Sequence, residues 1–458
     1  MAETVGRRYY NEALGPEGEP RELYGPLVEV LESLGPQTVA ARRARAREKL
    51  RGLGATFNLP EGGDDGDRIL PADWTPRVIP RDHWGRISTG LLQRGRAINA
   101  WLADLRAGGG GVVPVEVLES SAFYGRGPSF APSLPHPVRV YGPDVVHLGD
   151  GEYVVLEDNV RVPSGVAYSE AIREAGLAAM PEIFERYPVR DGIDEYFSAL
   201  RSALLAAAPR GVENAGVAVV TEGRDDPAFF EHERIARACG FELLTLGELG
   251  YRGGEVISRR DRSRVDVIYR RFDDDRLRTD LPELADAYLK GRVEIVNPPG
   301  VGLADDKGIF PYVPRMIEHY LGEKPILQNA KTLSLLDPEG REEALERLPE
   351  LVLKPREGFG AKGLIIGPEA DEATISQARR AVAADPTAWV AQEFLDFSTH
   401  VLDDSAGADE AFVDLRAFVL PERGYVMPGG LTRVAKPGTR VVNSSAGGSF
   451  KDTWVLQD

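Results

Sequence analysis

Oxygen ligands and cations in this sequence recur close to glycine. Asp144 precedes the triplet Glu157-Asp158-Asn159, and Glu157 and Asn159 alternate at the end of a β-branched run. On a strand, that alternation projects both side chains from one face. Two carboxylates and an amide oxygen converging there would suit Mg2+, which keeps several waters and accepts phosphate oxygens to complete its octahedron. The hairpin alone reads equally as a polar strand end closed by an ordinary salt bridge. Lys354, in VLKPREGFGAKG, ends an apolar run ahead of Gly358, Gly360 and Gly363. Backbone amides of such a loop approach phosphate oxygens closely while the lysine supplies a point charge; a plain hairpin turn is the alternative. The pattern is neither a Walker A loop nor a Rossmann fingerprint. Lys307, in LADDKGIF, could flank the same phosphates or be a surface lysine. Arg416 in DLRAF and Arg433 in GGLTRVA fall on neighbouring strand-like segments. Fixed guanidinium groups stabilise charge on a transferring phosphoryl group, with surface salt bridging as the other reading. Asn443 and the Gly447-Gly448 pair fall where backbone meets a ligand or turns tightly, and Lys451 and Asp452 either contact substrate or pair with each other.

The elements that must carry these residues follow from periodicity. Between Tyr24 and Leu105, apolar residues recur at three- and four-residue spacing, which predicts a helical N-terminal region, 1–110. The arginine run Arg42 to Arg51 alternates with alanine and glutamate, as a solvated helix flank does. Gly54 to Pro80 is rich in Gly, Asp and Pro and predicts a long loop. VVPVEVLES and VRVYGPDVVHLGDGEYVVLEDN are strand-like, and Gly149, Asp150 and Gly151 predict a hairpin turn within a segment 111–210. VAVVTEG, FELLTLGEL, VDVIYRRF and VEIVNPPG alternate with helical stretches and predict a parallel α/β subdomain, 211–300. The last segment, 301–458, is again strand-rich. The fold class is therefore α/β (α+β), with strand-rich segments on both sides of the α/β block.

Composition bounds the function. At 458 residues, 42% hydrophobic and 28% charged, the chain can bury a substantial core in two or three subdomains. A net charge of −17 argues against nucleic acid and anionic membrane as partners. The lone Cys239 excludes an intrachain disulfide and a cysteine-based metal site; in IARACGFELL it reads as a small buried residue. No apolar run approaches the ~18 residues of a membrane span, and the N-terminus lacks a long apolar h-region, so a cytoplasmic protein is expected.

Taken together, these residues resemble the ATP-grasp superfamily, and in their order its circularly permuted type 2 branch. The resemblance runs through FYGRGPSFAPSLPHPVRVYGPDVV, LEDNVRVPSG, VNPPGVGLADDKGIFPYVPRMI, VLKPREGFGAKG, AQEFL, DLRAF and VVNSSAGGSFKDTWVL. It implies a circularly permuted ATP-grasp fold with an added helical N-terminal region, in which the metal segment comes first and the C-terminal segment lies near the Asp144 hairpin. It further implies Asp144, Glu157 and Asn159 as Mg2+ ligands, with Arg161 beside the phosphates and Arg139 on the substrate side. Lys307 and Lys354 are the phosphate lysines, Gln392, Glu393, Phe394 and Leu395 the adenine hinge, and Asp414 and Arg416 a D-x-R strand. Arg433 matches the transition-state arginine, Asn443 and Gly448 the substrate-side positions. The implied activity is ATP-dependent ligation of a small-molecule or peptide carboxylate to an amine through an acyl phosphate, under a lid at Gly358 to Gly363. A phosphotransferase and a non-catalytic nucleotide-binding scaffold are the competing readings, and an oligomer is compatible with the sequence.

Overall fold

The structure is a computed structural model that describes residues 9–56, 69–124, 136–358, 363–401, 411–436, 438–442 and 448–457. Among these residues the largest sheet has seven strands, in the order Ala72–Ile79, Ser449–Val455, Leu431–Val434, Val413–Arg416, Asp144–Gly149, Glu152–Glu157 and Gln328–Asn329. The two outer pairings are parallel and the inner four antiparallel. Val145, Val146, Val154 and Val155 are all buried, as β-branched residues are when both faces of a sheet are covered. The predicted turn closes their hairpin: Gly149, Asp150 and Gly151 take φ of 112°, 47° and 76°, a conformation costly for most side chains. The C-terminal strand shares this sheet with the hairpin, as the resemblance implied.

A second, antiparallel sheet of four strands runs Thr332–Ser334, Trp389–Glu393, Leu351–Pro355 and Ile365–Ile366. Helices Pro338–Arg347 and Glu372–Ala384 cover it around Leu335, Leu348, Leu353 and Ile375. Both begin at an aspartate cap: Asp337 accepts from Gly340 N at 3.1 Å and Asp371 from Thr374 N at 2.8 Å. A third sheet, all parallel, runs Glu242–Thr245, Val217–Thr221, Val267–Arg271 and Glu294–Val296. Cys239 is buried beside it, its thiol pushed up to about 12 by burial.

Two expectations are corrected. The N-terminal region holds the expected helices, Gly25–Leu53 and Arg81–Arg106, but the predicted loop also contains the edge strand Ala72–Ile79. Pro76 lies in the irregular register between Asp73 and Arg77, where a missing donor is tolerated on an edge. Val115–Glu119 is a short helix entered through Pro114 rather than a strand. The arginine run is a helix flank as expected, with Arg42 pairing Glu182 and Lys49 pairing Glu174, both at 2.8 Å. Among the described residues, no helix is long and apolar enough to cross a membrane.

Candidate active site

The large sheet and the second sheet face each other across an open cleft with a cavity of about 240 Å³. The hairpin supplies Asp144, Glu157 and Asn159 to its floor, and the neighbouring strands supply Asp414, Arg416 and Arg433. Strand register aligns these groups: Asp144 lies opposite Glu157 on one side and Arg416 on the other, and Asp414 lies opposite Arg433. Asp144 is buried, and its Oδ1 and Oδ2 accept from Arg416 Nε at 2.5 Å and Nη2 at 3.0 Å. Arg433 Nη2 reaches Asp144 Oδ2 at 2.8 Å while the same guanidinium holds both oxygens of Asp414. Burial alone would raise the Asp144 carboxyl, but Arg416 and Arg433 hold it below the carboxylate range. Asp414, equally buried and facing Asp144, is pushed up instead.

The two lysines of the cleft come from separate elements. Lys307 follows the short helix Val301–Asp305, and its Nζ bridges Glu157 Oε1 at 3.0 Å and Gly358 O at 3.1 Å. Lys354 is the last residue but one of the strand Leu351–Pro355, and its ammonium makes no hydrogen bond among the described residues. Burial, aided by Lys307 and opposed by Glu157, pushes its ammonium down to about 8. On the neighbouring strand of the same sheet, Gln392 donates to Thr332 Oγ1 at 2.9 Å, and Glu393 is gripped by Arg347 through two contacts of 3.0 Å. Those side chains are occupied. Strand pairing ends at Glu393, leaving Phe394 and Leu395 beyond the ladder at the cleft wall.

The donor set can be tested against Mg2+. Among the described residues, no three His, Cys, Asp or Glu side chains are grouped to hold a metal ion. The available donors are instead Glu157, whose side chain is 31% exposed, and the oxygen of Asn159, whose side-chain amide makes no hydrogen bond among the described residues. A carboxylate and an uncommitted amide on one strand face fit a hard cation that keeps several waters. Asp144 fits only if a guanidinium leaves it, because both of its oxygens carry arginine nitrogens.

Other expected residues fall elsewhere. Arg161 does not line the cleft: its guanidinium lies over Phe123 at 4.7 Å and pairs with Asp305 at 2.7 Å and Asp273 at 3.2 Å. Arg139 is buried and bonded to Glu422, a packing position. Lys451 is buried too, held by Asp73 and by Thr75 Oγ1 at 2.8 Å, while Asp452 pairs with Arg173 at 2.5 Å. Neither of the two alternatives for Lys451 and Asp452, substrate contact or mutual pairing, describes that arrangement. Gly448 is buried at the start of the C-terminal strand, and Gly363 closes the glycine loop with φ 76°. Gly360 and Asn443 lie outside the described residues.

Sequence reasoning missed three contributors. Arg94, on the N-terminal helix Arg81–Arg106, holds Asp158 with two contacts of 2.6 Å, and Tyr141 Oη donates to the same carboxylate at 2.5 Å. Asp158 separates Glu157 from Asn159, so this buried pair fixes the strand that presents both. Arg440 lines the cleft with its guanidinium 4.5 Å from the Phe394 ring and 4.4 Å from Tyr9. Glu357 lines it as well, next to Gly358. None of these carries a local sequence signal: Arg94 is one arginine among several on an amphipathic helix, and its partner Asp158 lies 64 residues away.

The cleft between the two sheets thus brings Lys307 and Lys354 against Glu157 and Asn159. The family model for circularly permuted ATP-grasp type 2 matches residues 76–435, and the chain belongs to that family. It is 38% identical to a Frankia casuarinae protein named "Putative glutamate--cysteine ligase 2-2", over 97% of this chain and 53% of that protein. The chain thus spans about half the length of that Frankia relative and of a second one from Frankia alni. An uncharacterized Synechocystis sp. protein is 37% identical, over 98% of this chain and 97% of its own length. In fold, the chain is similar to a glutathione synthetase-like effector of Globodera pallida solved in apo form. That match has a TM-score of 0.55 at 15% identity and covers 92% of this chain and 98% of the effector.

Proposed function

We propose that the protein is a cytoplasmic, ATP-dependent ligase that activates a small-molecule or peptide carboxylate as an acyl phosphate and joins it to an amine, releasing ADP and phosphate. The observation that carries this reading is the opposition of Lys307 and Lys354 to Glu157 and Asn159 across one cleft, with Arg416 and Arg433 behind them. Five cations, Lys307, Lys354, Arg416, Arg433 and Arg440, line the cleft beside five carboxylates, and Lys354, whose ammonium has no hydrogen-bond partner among the described residues, is the cation most open to a phosphate.

In this reading Lys307 and Lys354 hold the β- and γ-phosphates, and the Phe394–Leu395 wall receives the base. Mg2+, held by Glu157 and Asn159, supplies charge neutralisation on the phosphate oxygens. The substrate carboxylate attacks the γ-phosphorus as the bond to the β-phosphate oxygen breaks. Arg433, anchored by Asp414, faces the negative charge that builds there, and its fixed position avoids reorganisation during the step. The amine then attacks the acyl carbon and inorganic phosphate leaves. Positioning does most of this work, so the anchoring of Arg416 and Arg433 by buried carboxylates is functionally apt.

The test is phosphate release from Mg-ATP against amino acids and short peptides, singly and in pairs, with Glu157→Ala as control. Release that requires both a carboxylate and an amine, and is lost in the variant, supports the ligase. Turnover with no amine requirement replaces it with phosphoryl transfer, and nucleotide binding without turnover replaces it with a scaffold.

A further inference from the structure

We infer that the buried Asp306–Arg356 ion pair, seated on Gly308, is a positioning joint that sets the spacing of Lys307 and Lys354; this rests on the nucleotide reading above. Asp306 immediately precedes Lys307, and Arg356 follows Lys354 by two residues. The two lysines reach the cleft from segments that meet the floor separately, so nothing in the ladder of either sheet fixes one against the other. The ion pair makes that connection. Arg356 Nε and Nη2 donate to Asp306 Oδ1 and Oδ2 at 2.9 and 2.8 Å, a planar fork that fixes distance and orientation together.

The joint is built on both sides. Asp306 Oδ1 also accepts from Gly308 N at 2.7 Å. The other donors of Arg356 go to Ser120 Oγ at 2.7 Å, Val117 O at 3.1 Å and Thr387 O at 3.2 Å, tying the pair to the helix Val115–Glu119 with its cap and to the turn Pro386–Ala388 that leads into the second sheet. The guanidinium lies so close over Gly308 that a β-carbon there would sit 2.6 Å from Arg356 Cζ. Glycine is therefore required by the approach of the arginine and not by a turn. The neighbouring Asp305 accepts from Val160 N at 2.5 Å, just past Asn159, so three consecutive residues each grip a different arm of the site. Lysine stems are flexible, and a ~1 Å misplacement of a binding group can cost on the order of a hundredfold. A stiff arginine–aspartate connection one and two residues away from the lysines fixes the two backbone points from which those stems start.

Gly308→Ala tests this without removing a charge, because the added methyl displaces the guanidinium while both ionic partners remain. Asp306→Asn weakens the same pair directly. Dissociation constants for Mg-ATP and for adenosine are measured by calorimetry on the full chain, with thermal melts to establish folding. The joint predicts that folded Gly308→Ala and Asp306→Asn lose at least about tenfold in Mg-ATP affinity, with adenosine affinity held within about twofold. Equal loss of both ligands, or loss of neither, in a folded variant overturns it, as does failure of both variants to fold. Should Asp306→Asn alone fail to fold, Gly308→Ala decides. Wild-type protein that binds no Mg-ATP would instead overturn the nucleotide reading itself.

Discussion

Lys354 gives the cleft a pH dependence whose sign and window can be worked out. Burial, with Lys307 nearby, pushes its ammonium from 10.5 down to about 8 in the ligand-free protein. A phosphate bound to Lys354 requires the charged form and raises that value again. Below pH 8 the lysine is already charged, so binding is insensitive to pH through this group. Above it, the ligand-free lysine is neutral and binding takes up a proton. Affinity then falls by about tenfold per pH unit until the pKa of the complex is reached, each unit being about 1.4 kcal/mol. Mg-ATP titrated calorimetrically at about pH 7 and about pH 9, in buffers of different ionisation enthalpy, gives both numbers at once. Proton uptake should approach one per site at the higher pH and vanish at the lower. Lys354→Met should bind weakly and with no such slope. Affinity that is flat across this window in the wild type, with no proton taken up, would refute the placement of Lys354 against phosphate.

Burial raises Glu294 from 4.5 to about 7, so the folded state holds a proton that the unfolded chain has released. Stability therefore falls as pH climbs through that interval, by up to roughly 3 kcal/mol. Glu294→Gln should flatten the slope and raise the melting temperature at about pH 8, and an unchanged slope would dismiss the titration. Arg94→Met leaves the Asp158 carboxylate buried without its partner and should cost about 3–5 kcal/mol in urea unfolding. Arg94→Met combined with Asp158→Asn should recover part of that loss, and additive losses in the pair would count against the coupling. Lys451→Met should lower the melting temperature while leaving Mg-ATP affinity unaltered, since the ammonium meets Asp73 and Thr75 and not the cleft. A changed nucleotide affinity with unchanged melting would return Lys451 to the site.

What the sequence could disclose divides by the distance over which each position is decided. The E-x-N strand was readable because its logic is local. The Gly149-Asp150-Gly151 turn fixes the hairpin, whose second strand ends at Glu157, and Asn159, two residues beyond, lines the same cleft. Lys354 likewise followed from an apolar strand running into glycine. Arg161 and Lys451 carry the same kinds of charge, but their fates are set by Asp305, 144 residues away, and Asp73, 378 residues away. The strand Ala72–Ile79 was hidden for a related reason. Its proline is tolerated only because it lies on an edge against Ser449–Val455, a partner that no local pattern announces.

The same distance rule explains why the sequence leaves open what the N-terminal helices do for the site. Arg94 reads in sequence as one arginine among many on an amphipathic helix, and only the folded chain brings it under Asp158. At that position an arginine cannot be a solvated flank, because an unpaired guanidinium 1% exposed would be far too costly. Its partner must be a carboxylate, and the carboxylate it meets is the middle residue of the triplet whose outer residues face the cleft. A second such pair, Arg77 on the N-terminal edge strand with Glu12 at 2.6 Å, ties the first described residues to His147 on the Asp144 strand. Both N-terminal pairs end on the hairpin that carries the proposed metal ligands. The region that precedes the family's nucleotide-binding parts in sequence is thus the foundation on which the first of them is set.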